Sequence, residues 1–214
     1  MGAPPVRIVQ VRLGPVRPLV DAKGLPWRSA IAKTGNPGPV RVGSEGIEGD
    51  QVADRRHHGG PQQALLAYAA AHYDSWREEG VELPLGSFGE NLVVEGATDQ
   101  DVCVGDLWLA GALRLQVSQP RQPCGTLARH LDSSAVVEQI WDTGRGGWYL
   151  RVLAPGLLSP GPLELVDRPH PGWTVARVLR AFDEAARNPD EARAAAELVH
   201  LSPEWRSKLA AKAG

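Results

Sequence analysis

Short runs of β-forming residues, separated by glycine and proline, recur along most of the chain. Residues 6–13 (VRIVQVRL) alternate apolar and polar side chains, as a strand with one buried face does. The 24 glycines and 18 prolines interrupt such runs too often for the long helices of repeated strand–helix–strand units. We therefore predict a mainly β fold, a sandwich or barrel of roughly nine short strands with a few short helices.

The predicted strands cover residues 6–13, 27–33, 46–53, 63–68, 92–95, 101–109, 113–118, 148–153 and 163–166. The predicted short helices cover residues 70–79, which Gly80 would end, and residues 134–141. At 214 residues the chain is long enough to bury a core without disulfide bonds.

The sequence changes character after the proline-rich segment at residues 168–172 (RPHPG). Residues 173–187 repeat apolar side chains at i, i+3, i+4 and i+7 from Val175, which predicts an amphipathic helix. Two further helix starts follow at Asn188 and Ser202, each a capping side chain followed by proline. We therefore predict a β-rich domain at residues 1–168 and a three-helix domain at residues 173–212.

The overall charge and the amino terminus exclude several classes of partner and location. A formal net charge of -2 creates no global field for nucleic acid or anionic lipid. No apolar run reaches the roughly 18 residues of a membrane-spanning helix. The amino terminus (MGAPPVR) lacks the apolar segment of a signal peptide, and two cysteines form no secreted framework. We expect a cytoplasmic protein with neither a nucleic-acid nor a membrane partner.

Two polar segments at strand ends could bind a ligand. Residues 32–36 (AKTGN) place the Lys33 ammonium and the Thr34 hydroxyl together, which suits an anionic group but also an ordinary surface turn. Residues 88–92 (FGENL) place Asn91 where its amide could hydrogen bond a heterocycle or tie down a turn. Taken alone, neither segment decides between these readings.

A third segment, residues 54–60 (DRRHHGG), combines cations, histidines and a glycine pair. Arg55 and Arg56 can each present a bidentate fork to phosphate, and the glycines allow a ligand to approach the backbone closely. A solvated loop is the alternative. Adjacent side chains of an extended chain point in opposite directions, so we expect only one of His57 and His58 to face a site.

The fourth segment, residues 119–127 (QPRQPCGTL), contains one of the two cysteines in the chain. Proline at positions 120 and 123 suppresses regular strand pairing, which predicts a stiff loop held out from the sheet. That loop would present Arg121 and Cys124 to a pocket. A thiol beside a guanidinium has a lowered pKa, and its thiolate attacks electrophiles and ligates soft metals.

Other kinds of site find little support in the sequence. Cys103 alternates with two valines, which predicts a small apolar residue on a strand. The chain has no CxxC or HxxxH pair for a structural zinc site. It also has no nucleophile elbow, phosphate-binding loop or dinucleotide fingerprint.

Taken in order, these segments closely resemble the MOSC domain family, and within it the stand-alone, YiiM-like branch. The segments that carry the resemblance are residues 33–35 (KTG), 57–60 (HHGG), 88–92 (FGENL), 101–106 (DVCVGD), 116–124 (QVSQPRQPC) and 147–151 (GWYLR). Residues 168–174 (RPHPGWT) resemble the link between that branch's barrel and its C-terminal three-helix domain. The similarity covers residues 5–210, and the shared order of the short segments makes it specific.

The resemblance implies a MOSC-type β-barrel at residues 1–168, followed by the three-helix domain at residues 173–212. It also implies that the molybdenum cofactor (molybdopterin) binds in a cleft, with Cys124 as the metal ligand and catalytic residue. The other cofactor-binding residues that it implies are Lys33, Thr34, His58, Asn91 and Arg121, with Arg55 and Arg56 as candidates for the cofactor's phosphate.

The activity that the resemblance implies is two-electron reduction of N-hydroxylated compounds such as hydroxylaminopurines. Since the sequence contains no flavin, iron–sulfur or haem motif, an external protein would donate the electrons. The alternative is a non-catalytic carrier of the molybdenum cofactor, or of sulfur as a persulfide on Cys124. A barrel whose site has decayed is a third reading. The tail could pack on the barrel, on a second subunit of a homodimer, or on the electron donor.

Overall fold

The computed structural model describes residues 5–214. Residues 1–4 lie outside the described residues. They include the start of the predicted first domain and of the segment in which we expect no signal peptide. The strands are β1 (Arg7–Leu13), β2 (Arg17–Val20), β3 (Pro26–Ser29), β4 (Thr34–Asn36), β5 (Val40–Gly43), β6 (Gly46–Ile47), β7 (Leu65–Ala69), β8 (Leu92–Glu95), β9 (Leu107–Ala110), β10 (Leu113–Pro120), β11 (Trp148–Ala154), β12 (Gly156–Leu158), β13 (Gly161–Pro162) and β14 (Glu164–Asp167). The helices are α1 (Ala70–Glu78), α2 (Gly125–Leu131), α3 (Ser134–Thr143), α4 (Val175–Asp183), α5 (Pro189–Ala196) and α6 (Pro203–Ala213).

A nine-stranded sheet curls into a half-barrel and forms the main body of the protein. Its strands follow the order β13-β1-β8-β7-β11-β10-β9-β14, and β4 also pairs with β1. All these pairs are antiparallel except β7 with β8. A three-stranded sheet (β12-β5-β6) and a separate hairpin (β2-β3) complete the strands. The predicted fold class, a mainly β, barrel-like protein with helices, is therefore confirmed.

The main sheet is buried on both faces along β10. Leu113, Leu115 and Val117 point into one apolar cluster, as alternate residues of a strand do. Gln116 and Ser118 point the other way and are also buried, because α4 packs against this strand. Within residues 5–214, no helix is both long and apolar enough to cross a membrane.

A second apolar cluster joins the sheet to the C-terminal helices. It contains Tyr68 and Phe88 from the barrel together with Phe182 and Trp205 from the tail. The backbone N–H of Ser202 also donates to the carbonyl of Ser118 in β10 at 2.9 Å. The secondary structure changes near residue 168 as expected, but the apolar core runs across that boundary. The division into two domains therefore stays a prediction.

Residues 101–106 form a turn, although the sequence predicts a strand over residues 101–109 that in fact begins at Leu107. The Asp106 carboxylate, which is fully buried, accepts the backbone N–H of Cys103 at 2.9 Å and pairs with Arg168. A carboxylate that captures backbone donors in this way offers the chain an alternative to strand pairing. Cys103 is buried as predicted, but it lies in this turn and not on a strand.

Other differences concern short elements that depend on distant partners. The strand predicted at residues 46–53 contains only Gly46–Ile47. The elements that the sequence reading does not identify are β2, β4, β5, β12, β13 and α2. The predicted helices near residues 70–79 and 134–141 and the three tail helices are all present, each within a few residues of its predicted start.

His170, in the segment between barrel and tail, pairs with His200, which lies between α5 and α6, and the charge state of this pair should affect stability. His170 Nε2 and His200 Nδ1 lie 2.9 Å apart, so one ring must accept the other's proton. Burial and the neighbouring His200 charge lower the pKa of His170 below its ordinary value. The unfolded chain therefore binds more protons near this site, and the stabilisation is lost as pH falls below about 6.5.

The unfolding free energy of the wild type should fall between about pH 7.5 and pH 5.5. We expect this fall to be smaller in the His170→Gln variant, because glutamine does not bind a proton in this range. Urea unfolding at both pH values measures this difference. An identical pH dependence in the two proteins would contradict the assignment.

Candidate functional site

A cavity of about 960 Å³ opens between the end of β10, the segment after β3 and the three-stranded sheet. It brings together residues from four of the segments that the sequence reading identifies. The members of the predicted set that line it are Lys33, Arg55, His58, Asn91, Arg121 and Cys124.

Cys124 lies half-buried at the amino end of α2, immediately after the proline-containing segment. Burial alone would raise the pKa of its thiol. A hydrogen bond with His58, the charge of Arg121 and the Leu127 amide outweigh this effect and lower the pKa to about 6. The thiol is therefore mostly ionised at neutral pH, in the form that attacks electrophiles and binds soft metals.

The guanidinium of Arg121 is buried and is not fully hydrogen bonded within residues 5–214. Its residue is only 4% exposed, and its Nη1 has no hydrogen-bond partner among the described residues. Buried guanidinium nitrogens are nearly always paired, so an unpaired one on a cavity wall favours an anionic ligand.

The sheet holds Arg121 more tightly than the sequence predicts. The pairing of β10 with β11 continues to Pro120, opposite Trp148, and the Arg121 N–H then donates to the Gly147 carbonyl at 2.9 Å. The expectation that proline holds this segment out from the sheet is therefore wrong for its first half. Proline at position 120 ends the strand without interrupting its pairing, because the next residue supplies the donor.

Tyr149 is a cavity residue that the sequence reading does not single out. It lies on β11 opposite Gln119, and its side chain faces the cavity. Burial raises the pKa of its phenol, the Arg121 charge opposes this and the Cys124 charge adds to it. The phenol is therefore neutral and lies within electrostatic range of both groups. The strand alternation around residues 148–153 could have placed it on the opposite face from the buried Leu150.

Lys33 lines the cavity with its charge already balanced. Its ammonium pairs with the Asp50 carboxylate at 2.5 Å, and both side chains are largely buried. Asp50 also accepts the Gly14 N–H at 2.9 Å and the Asn91 side-chain amide at 2.8 Å. Asp50 is the partner that the sequence reading missed, because it assigned this residue to a strand.

Asn91 also lines the cavity, and its hydrogen-bonding capacity is used within the protein. Its Oδ1 accepts the Leu66 N–H at 3.1 Å, and its Nδ2 donates to the Arg12 carbonyl at 3.2 Å as well as to Asp50. These bonds join three segments of the cavity wall. The turn-tying interpretation of this residue therefore agrees with its geometry.

The DRRHHGG segment reaches the cavity through only some of its residues. Arg55 and His58 line it, whereas Arg56 does not, and the His57 ring turns away to Asp54 at 2.8 Å. As expected, one histidine faces the cavity, although the backbone here forms turns and not an extended chain. Gly59 and Gly60 both have φ of 82°, a conformation that suits glycine.

Thr34 lies outside the cavity lining. It pairs with Leu13 in the sheet, and its hydroxyl donates to the Leu13 carbonyl at 3.3 Å. The cofactor-binding roles of Thr34 and Arg56 stay predictions.

Comparison with known proteins gives consistent results. The MOSC domain model matches residues 54–162. "Uncharacterized protein YflK" of Bacillus subtilis is 36% identical over 208 residues, which are 96% of this chain and 93% of that protein. A protein named "Reductase" from Gibberella moniliformis is 37% identical over 85% of this chain, which spans only 32% of that longer protein. The crystal structure of YiiM from Geobacillus stearothermophilus superimposes with a TM-score of 0.81 at 32% identity, covering 98% of this chain and 100% of that one.

We expect the His58→Phe variant to raise the pKa of Cys124 by roughly one to two units, because the thiolate loses its hydrogen-bond partner. The pH dependence of alkylation by iodoacetamide measures this value. The neighbouring His57→Phe variant is the matched control and should alkylate like the wild type. A Cys124 pKa that is the same in both variants would contradict the assignment.

Proposed function

This chain belongs to the MOSC domain family, and we propose that it binds the molybdenum cofactor beside Cys124 and reduces N-hydroxylated compounds there. One observation carries the proposal. A thiol of lowered pKa and a buried guanidinium with an unpaired nitrogen face the same large cavity. Hydroxylaminopurines represent the proposed substrate class.

The residues of the cavity fit the cofactor. Cys124 offers a soft thiolate to the metal, and the unpaired Nη1 of Arg121 offers a donor to an anionic oxygen. Arg55 adds an exposed cation on the same wall. A volume of about 960 Å³ lies at the upper end of the range of roughly 300–1,000 Å³ for ligand sites, which leaves room for a substrate beside the cofactor.

When bound, the cofactor would supply a centre that changes oxidation state by two electrons. The overall reaction takes up two electrons and two protons: the N–O bond breaks, nitrogen gains one proton to become the amine, and oxygen takes the other and leaves as water. Cys124 would hold the cofactor and Arg121 would orient it. The His58 ring and the neutral Tyr149 hydroxyl are the proton-bearing groups near Cys124, so they would hold the protons that this reaction consumes.

Several features support a reductase over a carrier. The cavity extends well beyond Cys124, which suits a second, substrate-sized molecule, whereas a carrier needs only to hold its cargo. The "Reductase" relative contains a region similar to most of this chain. The carrier proposal predicts bound cofactor without turnover. Electron donation by a separate protein, a homodimeric state and a cytoplasmic location stay predictions.

We expect the Cys124→Ser variant to fold normally but to lose its ability to reduce a hydroxylaminopurine. Its molybdenum content should fall by at least about tenfold, because serine is a poor ligand for this metal. Metal analysis and turnover assays on protein from a cofactor-competent host measure both effects. Cys103→Ala is the matched control, since Cys103 is buried elsewhere. Full metal content and turnover in the serine variant would overturn the role of Cys124.

We expect the Arg121→Met variant to bind less molybdenum, while its cofactor-free form gains up to about 1 kcal/mol of unfolding free energy, because a buried unpaired donor is removed. Lys33→Met makes the contrast: it leaves the buried Asp50 carboxylate without a cation and should destabilise by about 3 kcal/mol. Denaturant unfolding and metal analysis measure the two quantities. An Arg121→Met variant that loses stability and keeps its molybdenum would contradict the assignment.

A further inference from the structure

The β2–β3 hairpin, residues 17–29, is separate from the main sheet and carries exposed apolar residues. Its two strands pair only with each other among the described strands. Val20 is 70% exposed and Leu25 is 55% exposed. Val20 and Leu25 flank the turn at residues 21–24, so they place exposed apolar surface together at the end of the hairpin, where another molecule could contact it.

The same hairpin carries positive charge without compensation. Arg17, Lys23 and Arg28 are exposed, and none of them forms an ion pair with an acidic side chain of the described residues. Asp21 is the single acidic residue of the hairpin, and Arg129 of α2 pairs with it. The chain as a whole has a formal net charge of -2, so this local excess of cations opposes the overall balance.

Contacts with α2 hold the hairpin beside residues that line the cavity. Arg129 Nε donates to Asp21 at 2.8 Å, and its guanidinium lies 5.0 Å from the Trp27 ring. Arg129 belongs to α2, the helix that begins directly after Cys124. The last residue of β3, Ser29, and the two residues that follow it, Ala30 and Ile31, line the cavity itself. A surface ordered in advance loses less entropy when a partner binds.

We propose that this hairpin docks the protein that donates electrons to the cavity, and that the partner presents an acidic surface around an apolar centre. The inference rests on the proposed function, because that reaction needs two electrons for each N–O bond broken. A flavoprotein fits this requirement: its reduced flavin gives up two electrons and becomes oxidised, while the substrate oxygen leaves as water. Opposite charges steer the encounter, and the apolar residues supply a central anchor.

A protein fits the hairpin better than a membrane or a nucleic acid. Three cations contribute only about 1 kcal/mol each at an anionic lipid surface. Nucleic acids bind on exposed aromatic faces, whereas Trp27, the aromatic residue of the hairpin, has its indole nitrogen buried and lies beneath Arg129.

The test combines two hairpin variants with matched controls elsewhere on the surface. Lys23→Glu/Arg28→Glu reverses the charge, and Arg180→Glu/Arg187→Glu makes the same change on exposed tail residues. Val20→Ser/Leu25→Ser removes the apolar centre, and Val199→Ser is its control, since Val199 is 68% exposed. Turnover of a hydroxylaminopurine is measured with an acidic flavodoxin-type protein and, separately, with reduced methyl viologen as a small donor.

We expect both hairpin variants to raise KM for the flavoprotein by at least about tenfold, with normal turnover from methyl viologen and unchanged kinetics in the controls. Calorimetric titration of the oxidised flavoprotein into the wild type and the variants measures docking without any turnover. Equal flavoprotein binding by the wild type and the hairpin variants would overturn the inference. It would also be overturned if the wild type did not bind the flavoprotein and instead bound anionic vesicles or single-stranded DNA in a way that the hairpin variants lose. Absence of turnover with either donor would instead overturn the proposed function, and the titration would still decide the docking.

Discussion

The pairing of β10 with β11 is the interaction on which the candidate site depends. It continues to Pro120 and ends in the hydrogen bond from the Arg121 N–H to the Gly147 carbonyl at 2.9 Å. A side chain at Gly147 could not be accommodated, because its Cβ would lie 2.4 Å from the Ala67 carbonyl oxygen. The buried Asp99 holds the same glycine, accepting its N–H at 2.7 Å. This close backbone contact places a cation at the cavity wall, three residues before Cys124.

The cations of the cavity wall have different roles, depending on whether an acidic side chain pairs with them. The Lys33 charge is balanced by Asp50, which also anchors Asn91, so these residues stabilise the wall. Within the described part of the chain, Arg121 has no such partner, and its charge instead favours the thiolate of Cys124. A protein that leaves a buried cation unpaired sacrifices stability in the cofactor-free form, which is typical of sites built for an anionic ligand.

The elements that can be predicted from the sequence are those that local signals set. The tail helices follow from the capping residues Asn188 and Ser202, whose side chains do accept the expected N–H groups. Short strands such as β12, whose pairing partner β5 is distant in the chain, are not predicted, and neither is the turn around Asp106, where a buried carboxylate replaces strand pairing. Local pattern carries no information about either partner.

The sequence by itself determined that the chain is mainly β with a helical tail, and it identified Cys124 and Arg121 as neighbours with reactive potential, because spacing and residue type suffice for both. Only the tertiary structure decided which cation is unpaired among residues 5–214, since the fold pairs Asp50 with Lys33 and not with Arg121. Likewise, it placed Tyr149 beside the thiol and spread the apolar core across the expected boundary near residue 168. Burial and pairing with distant residues set these properties, and no local pattern encodes them.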